Sequence, residues 1–260
     1  MVLIGGAPVR IEEVLSIVAG ADVALDAGAQ GAIAASRAVV DAALAKAQPV
    51  YGVSTGVGHA RDVPVPEEEL TTLQYRLVTT HAGGIGAPLE CRVVRAAMVA
   101  RLVGIARGGS GASPAVADVL VQMLNAGVHP VVPRTGSVGA ADIGQTASIA
   151  LVAIGRGEAE LDGEVVEGGE ALRRAGITPL ALRPKDGLAF MSANAVTIGH
   201  AALVVARAER AADLADRGRR TVDGGHPGEP IGRHPCGRAG QAVPGSDRGL
   251  PAPDLPPRRQ

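Results

Sequence analysis

The chain has 260 residues, with 25 Lys plus Arg against 26 Asp plus Glu and a formal net charge of −1. That length supports one large domain with a sizeable core, and the balanced charge leaves no basic footprint for nucleic acid or an anionic membrane surface. Two cysteines, Cys91 and Cys236, imply no disulfide framework and read as free thiols of a reducing cytoplasm; no signal-peptide pattern opens the chain, and no run of about 18 uninterrupted apolar residues predicts a membrane span.

Aromatic residues make up 1% of the chain, so the core must be built from Ala, Val, Leu and Ile, which suits closely packed helices. Val9, Ile11, Val14, Leu15 and Val18 fall at helical spacing over residues 9–19. A second helix is predicted from about Ala32 to Ala47, stopped by Gln48-Pro49. Tyr51 to about Pro66 reads as a loop, its glycines at 52, 56 and 58 permitting close backbone approach. Glu67 to Thr80 reads as a helix with acidic residues in its first turn, where they suit the dipole. Pro88 to Arg107 follows, with Val94, Ala97, Met98, Leu102 and Ile105 on its apolar side. Ser113-Pro114 marks another start, serine as cap and proline as first helical residue. Ala140 to Ile154 fits a buried helix. Residues 158–161 and 164–166 around Asp162-Gly163 predict a small hairpin. A short helix over Gly168–Ala175 and a longer one between Pro184 and about Arg217 complete the pattern.

From about Gly218 the character changes. Residues 218–260 hold 8 Pro and 9 Gly in 43 positions, with scattered Arg and no periodicity. That composition predicts a disordered tail, and an Arg- and Pro-rich end of this kind also reads as a truncated or frameshifted product. The division expected is therefore 1–217 and 218–260.

Several segments carry a resemblance, by their order and spacing. They are Val50-Tyr51-Gly52-Val53-Ser54-Thr55-Gly56-Val57-Gly58, Leu77-Val78-Thr79-Thr80-His81-Ala82-Gly83-Gly84, Ala106-Arg107-Gly108-Gly109-Ser110-Gly111, Pro130-Val131-Val132-Pro133 leading into Gly136-Ser137-Val138-Gly139, and Lys185-Asp186-Gly187-Leu188-Ala189. Together, over about residues 5–216, they resemble the histidine and aromatic amino-acid ammonia-lyase family. The resemblance implies a mainly α, ammonia-lyase-like helical fold, of which this is the N-terminal portion, with the small hairpin and the disordered tail added. It also implies carbon–nitrogen lyase chemistry, closest to the non-oxidative deamination of L-histidine to urocanate.

The resemblance assigns Tyr51 as the base that removes the substrate's β-proton, a phenol with a reference pKa of about 10 that needs help near neutrality. Thr80 and His81 match the pair that selects the substrate ring, a histidine-type pattern in which one imidazole can hydrogen-bond another. Asn194 could replace the family's asparagine, matched here by Ser192, only if a helix start shifts. In the family, an Ala-Ser-Gly run after Gly-Ser-Val-Gly cyclises into an electrophilic methylidene-imidazolone. Here the run reads Ala140-Ala141-Asp142. Ala141 has no β-hydroxyl to lose as water, so no prosthetic group is expected. Asp142 either stands in the glycine position or, with that glycine deleted, matches the family's next residue, the reading that keeps downstream residues in step. The histidines show no metal-ligand spacing. The partners implied are an aromatic or histidine-like amino acid and further copies of the fold, as a homo-oligomer or a full-length lyase. The competing reading is an inactive pseudoenzyme or a structural helical subunit.

Overall fold

The computed structural model describes residues 1–46 and 48–225, with side-chain surroundings given through residue 219. The chain divides into Met1–Ala212 and Asp213–Gln260, and the core and site below belong to the first unit.

The chain opens with strand β1 (Val2–Ile4), helix α1 (Ile11–Val18) and strand β2 (Val23–Leu25), with β1 and β2 parallel in the register Val2↔Val23 to Ile4↔Leu25. Three-residue strands carry too little alternation to be read from sequence. The β2 edge is completed from far along the chain: Asn125 accepts from Val23 N at 2.9 Å and donates to Val23 O at 3.0 Å, mimicking a strand neighbour. Helix α2 (Ala27–Ala45) starts five residues before its apolar pattern does, because the Asp26 carboxylate accepts from Ala29 N at 2.7 Å and caps it.

Residues 67–69 form a 3₁₀ turn that passes into α3 (Leu70–His81). Strand β3 (Ile85–Pro88) leads to α4 (Cys91–Ala106), whose Val94, Ala97, Met98, Leu102 and Ile105 are fully enclosed or nearly so. Buried on most sides, α4 is the hub of the core, packed on α1, α2 and α5 (Pro114–Asn125). Strands β4 (His129–Pro130) and β5 (Pro133–Thr135) precede α6 (Ile143–Ala153), which is buried as expected but begins three residues later than its apolar run. The hairpin stands: β6 (Glu158–Leu161) pairs antiparallel with β7 (Glu164–Glu167). Asp162 and Gly163 both have positive φ, 52° and 81°, as a two-residue turn of this hand requires. Helix α7 (Gly168–Arg174) follows.

The long helix expected after Pro184 is two elements, α8 (Asp186–Met191) and α9 (Ala195–Gly225), separated by a turn. Helix α9 runs past residue 218, where the composition changes, to Gly225; the rest of the predicted tail, 226–260, lies outside the described residues. The stretch 186–219, α8 and α9 with the turn between them, contains 18 residues of mean hydropathy 1.7, enough by length and composition alone to cross a bilayer, although no apolar run in it is uninterrupted. A core helix meets the same criterion, and here Ala195, Val196 and Leu203 are buried. Gly199 lies so close to α4 that a Cβ would sit 2.5 Å from the Ala96 carbonyl carbon.

A buried ionic junction fastens these layers. Asp186, with no exposed surface, accepts from Ser113 N at 2.7 Å, Ser113 Oγ at 2.8 Å and Arg183 N at 2.9 Å, and lies 3.5 Å from Arg37 Nη1. Arg37 also donates to Pro184 O at 2.7 Å. Ser113 is therefore a helix cap by position only: its hydroxyl serves Asp186 and does not close back on α5. Every oxygen of the buried carboxylate has a donor, which is what makes its enclosure tolerable.

Candidate functional site

Three helix ends meet at one junction: the C-terminus of α3, the N-terminus of α6 and the α8–α9 turn. The first contact comes from β3 and β5, which pair antiparallel through Ile85↔Thr135 and Pro88↔Pro133 and so lay the segment after His81 beside Gly136. Small residues let the backbones close. A Cβ on Gly136 would meet Gly84 Cα at 3.2 Å, and one on Gly144 would meet Gly136 O at 2.9 Å and His81 O at 3.3 Å. Gln145, buried, donates to Arg134 O at 2.9 Å and holds the strand end.

The second contact is made by Asp142, which is 3% exposed. Its N–H donates to Ala193 O at 3.0 Å. Its carboxylate accepts from Thr197 N at 2.8 Å and Thr197 Oγ1 at 3.0 Å, so it bridges the starts of α6 and α9. Thr146 Oγ1, 2.7 Å from Met191 O, ties the end of α8 to the same place. Asp142 is thus committed in both backbone and side chain to joining helices.

Between these anchors, residues 136–140 are exposed, Val138 at 95%. Ala140 and Ala141 carry methyl groups and no hydroxyl. The hydroxyl nearby is that of Ser137, which lies 3.2 Å from Ala141 O and accepts from Gly139 N at 3.1 Å, closing a local turn. Beside the loop a cavity of about 490 Å³ is lined by Arg134, Ser137, Asp142, Gln145, Thr197 and His200. Of these, Arg134, Gln145, Thr197 and His200 are not singled out by any sequence motif; tertiary packing alone places them together.

His81 is half-buried at the end of α3, its Nδ1 2.7 Å from Leu77 O. A carbonyl only accepts, so Nδ1 carries the proton and Nε2 presents a free lone pair. Thr80 is exposed and its hydroxyl donates to Arg76 O of its own helix at 2.7 Å. Asn194 is exposed and immediately precedes α9, where its carbonyl accepts from Ile198 N at 2.9 Å. Tyr51 is 52% exposed, and its hydroxyl accepts from Gly58 N at 3.2 Å within its own loop. The loop is seated on α8, since a Cβ on Gly52 would collide with Leu188, and Leu188 N in turn donates to Gln74 Oε1 on α3 at 3.0 Å.

The structure therefore unites His81, Gly136–Asp142 and the 192–194 turn. Among the described residues no hydrogen bond joins Tyr51 to them. The arrangement offers an imidazole lone pair at the end of α3 and a cavity beside the loop, while residues 140 and 141 carry no hydroxyl.

A sequence profile described as aromatic amino acid lyase matches residues 9–218. Histidine ammonia-lyase 2 of Fusobacterium nucleatum subsp. nucleatum is 40% identical over 215 residues, which are 82% of this chain and 42% of that relative. Among solved structures, the ergothioneine-degrading ergothionase of Treponema denticola matches with a TM-score of 0.78 at 30% identity, covering 80% of this chain and 42% of its own. Histidine ammonia-lyase from Trypanosoma cruzi matches with a TM-score of 0.77 at 28% identity, covering 82% and 42%. The chain spans less than half the length of these relatives.

Proposed function

The chain belongs to the aromatic amino acid lyase family, and from that premise we propose that it is the N-terminal part of a histidine-type ammonia-lyase fold that holds an imidazole amino acid without eliminating ammonia from it. One observation carries this reading. Where the electrophile would be made, Ala141 has no hydroxyl, and the Asp142 amide that would have to close a ring already donates to Ala193 O at 3.0 Å. These residues do not fit a methylidene-imidazolone, and no step is derived through one. What remains is the binding side: His81 offers Nε2 to a ligand's ring N–H, while the Tyr51 hydroxyl is held by Gly58 N within its own loop. The reading as an active lyase producing urocanate rests on the family likeness alone.

The protein works in the cytoplasm, on this reading, as one component of a larger assembly. Ile198, Val204 and Val205 are exposed apolar residues on α9, and further copies of the fold, or a full-length relative, cover them. Light scattering on the purified chain then shows association; a stable, monodisperse monomer at micromolar concentration contradicts it.

The functional test is direct. With L-histidine the chain gives no rise in urocanate absorbance, and its intact mass is that of the unmodified sequence. Saturation transfer from protein to the imidazole protons of L-histidine is observed and is lost in His81→Ala. Turnover within the ordinary range of ~1–10³ s⁻¹, or a loss of water mapped to residues 136–142, overturns the proposal.

A further inference from the structure

Cys91, His129 and Glu160 come from three separate elements, the first residue of α4, strand β4 and strand β6. Their ligand atoms all lie within 4.8 Å of one another, and all three residues are half-buried. Sequence spacing cannot reveal this set, because strand register makes it: His129 and Glu160 are direct partners across the antiparallel β4–β6 pair, which puts both side chains on one face. Cys91 and His129 also line a cavity of about 410 Å³ with Arg92, Arg95 and Asn125, leaving room for a solvent ligand.

We propose that Cys91, His129 and Glu160 form a binding site for a zinc-like divalent cation, with water from the adjoining cavity as the fourth ligand. The site goes beyond the amino-acid-binding reading and does not depend on it. A tetrahedral ion with bonds of about 2.0–2.3 Å to N, O and S places its ligand atoms about 3.3–3.6 Å apart, inside the 4.8 Å within which these atoms lie. Thiolate, imidazole and carboxylate are the donor set of a borderline-soft metal. The two anionic ligands also balance a charge of +2.

The partners of each donor favour the same conclusion. Neither the Cys91 thiol nor the Glu160 carboxylate has a hydrogen-bond partner or ion pair among the described residues. His129 is engaged: Arg95 Nη1 donates to its Nε2 at 2.9 Å, while also lying 3.1 Å from Leu124 O. A guanidinium only donates, so the Arg95 bond marks Nε2 as an unprotonated nitrogen with the lone pair a metal takes. Burial is the main cause of the raised Cys91 pKa. Loading replaces the Arg95 hydrogen bond on the imidazole by a coordinate bond, and the thiol proton leaves to solvent. Arg95 keeps its anchors on Leu124 O and, through Nη2, on Ile17 O at 2.6 Å.

The test uses the full chain with Cys236→Ser, which removes the other thiol and the His234–Cys236 pair as a rival binder. Titrated Co²⁺ gives a thiolate-to-metal charge-transfer band with tetrahedral ligand-field absorption, saturating at a single ion per chain and displaced by Zn²⁺. Cys91→Ser abolishes the band, and His129→Ala and Glu160→Gln each weaken binding by more than the ~10–100-fold typical of an outer-shell loss, with helical circular dichroism unchanged. Should a variant not fold, the unsubstituted ligand set is still tested by alkylation: Zn²⁺ slows modification of Cys91, located by peptide mass. A folded chain that shows no band, a band that survives Cys91→Ser, or an alkylation rate indifferent to Zn²⁺ overturns the proposal.

Discussion

Asp186 and Asp142 each stand at a helix start, and each is buried, yet the chain around them differs in kind. Asp186 gathers donors from Ser113, Arg183 and Arg37 and locks α2, α5 and α8 together. Asp142 takes two donors from Thr197 and locks α6 to α9. Behind Asp186 the chain dives into the core. Ahead of Asp142 it runs exposed from Gly136 to Ala140. The comparison separates two things that a family likeness merges: junction chemistry that keeps helices in place, and loop chemistry that would perform a reaction. The first is complete at both sites; at 140–142 the side chains are two methyl groups and a carboxylate already taken by Thr197, and a shared fold is by itself no warrant for shared activity.

The comparison breaks most readily at Asp186. Asp186→Ala leaves Ser113 with an unmet buried hydroxyl and amide and takes from Arg37 its buried partner, Asp41 and Pro184 O remaining to it. Removing one member of a buried, hydrogen-bonded pair costs about 3–5 kcal/mol, a large share of the ~5–15 kcal/mol a domain has. Urea unfolding of wild type and variant measures it. A loss below ~1 kcal/mol would mean that the junction closes by packing alone.

Thr197→Val tests the weaker junction. The substitution keeps shape and removes one of two donors to the Asp142 carboxylate, while Thr197 N remains. The expected loss is about 1 kcal/mol, the net worth of an ordinary hydrogen bond, seen as a smaller shift of the same urea midpoint. A loss equal to that of Asp186→Ala would show the two junctions to be equivalent.

What could be read from the sequence divides along the same line. The helices of the core were legible because Val, Leu, Ile and Met recur at helical spacing in α1 and α4 and Ser113-Pro114 marks the start of α5, and Asp162-Gly163 signals its turn by residue type. Strands β1 to β5 were not, since two to four residues hold no usable period and their partners are distant. The earlier start of α2 is set by the Asp26 cap, which the apolar pattern does not include. At the site, motif order pointed to Tyr51, Thr80, His81 and 140–142. It could not reveal that Thr80 bonds its own helix, that Asn194 stays exposed, or that Asp142 belongs to Thr197. Ser113 reads as a cap because its position is right; only tertiary structure shows Asp186 taking its hydroxyl.

The smallest effect comes from a carboxylate at the surface, and its pH dependence sharpens the contrast with the buried pair. Glu170 accepts from Arg173 Nε and Nη2, both at 2.8 Å, and from Arg174 Nε at 2.7 Å. These bonds, Arg173's first and Arg174's next, hold its carboxyl down to about 2 from an ordinary 4.5. A carboxyl depressed in the folded state stabilises the fold above its unfolded pKa, and that contribution drains away as pH falls through the folded value. Solvent screens the pair, so the effect at neutral pH is slight. Thermal midpoints of wild type and Glu170→Gln should therefore differ a little above pH 4.5 and converge toward about pH 2. The Asp186→Ala deficit, by contrast, should be large throughout the neutral range. A Glu170→Gln difference that stayed constant across this window would assign its effect to helix α7 packing and remove the ionic explanation.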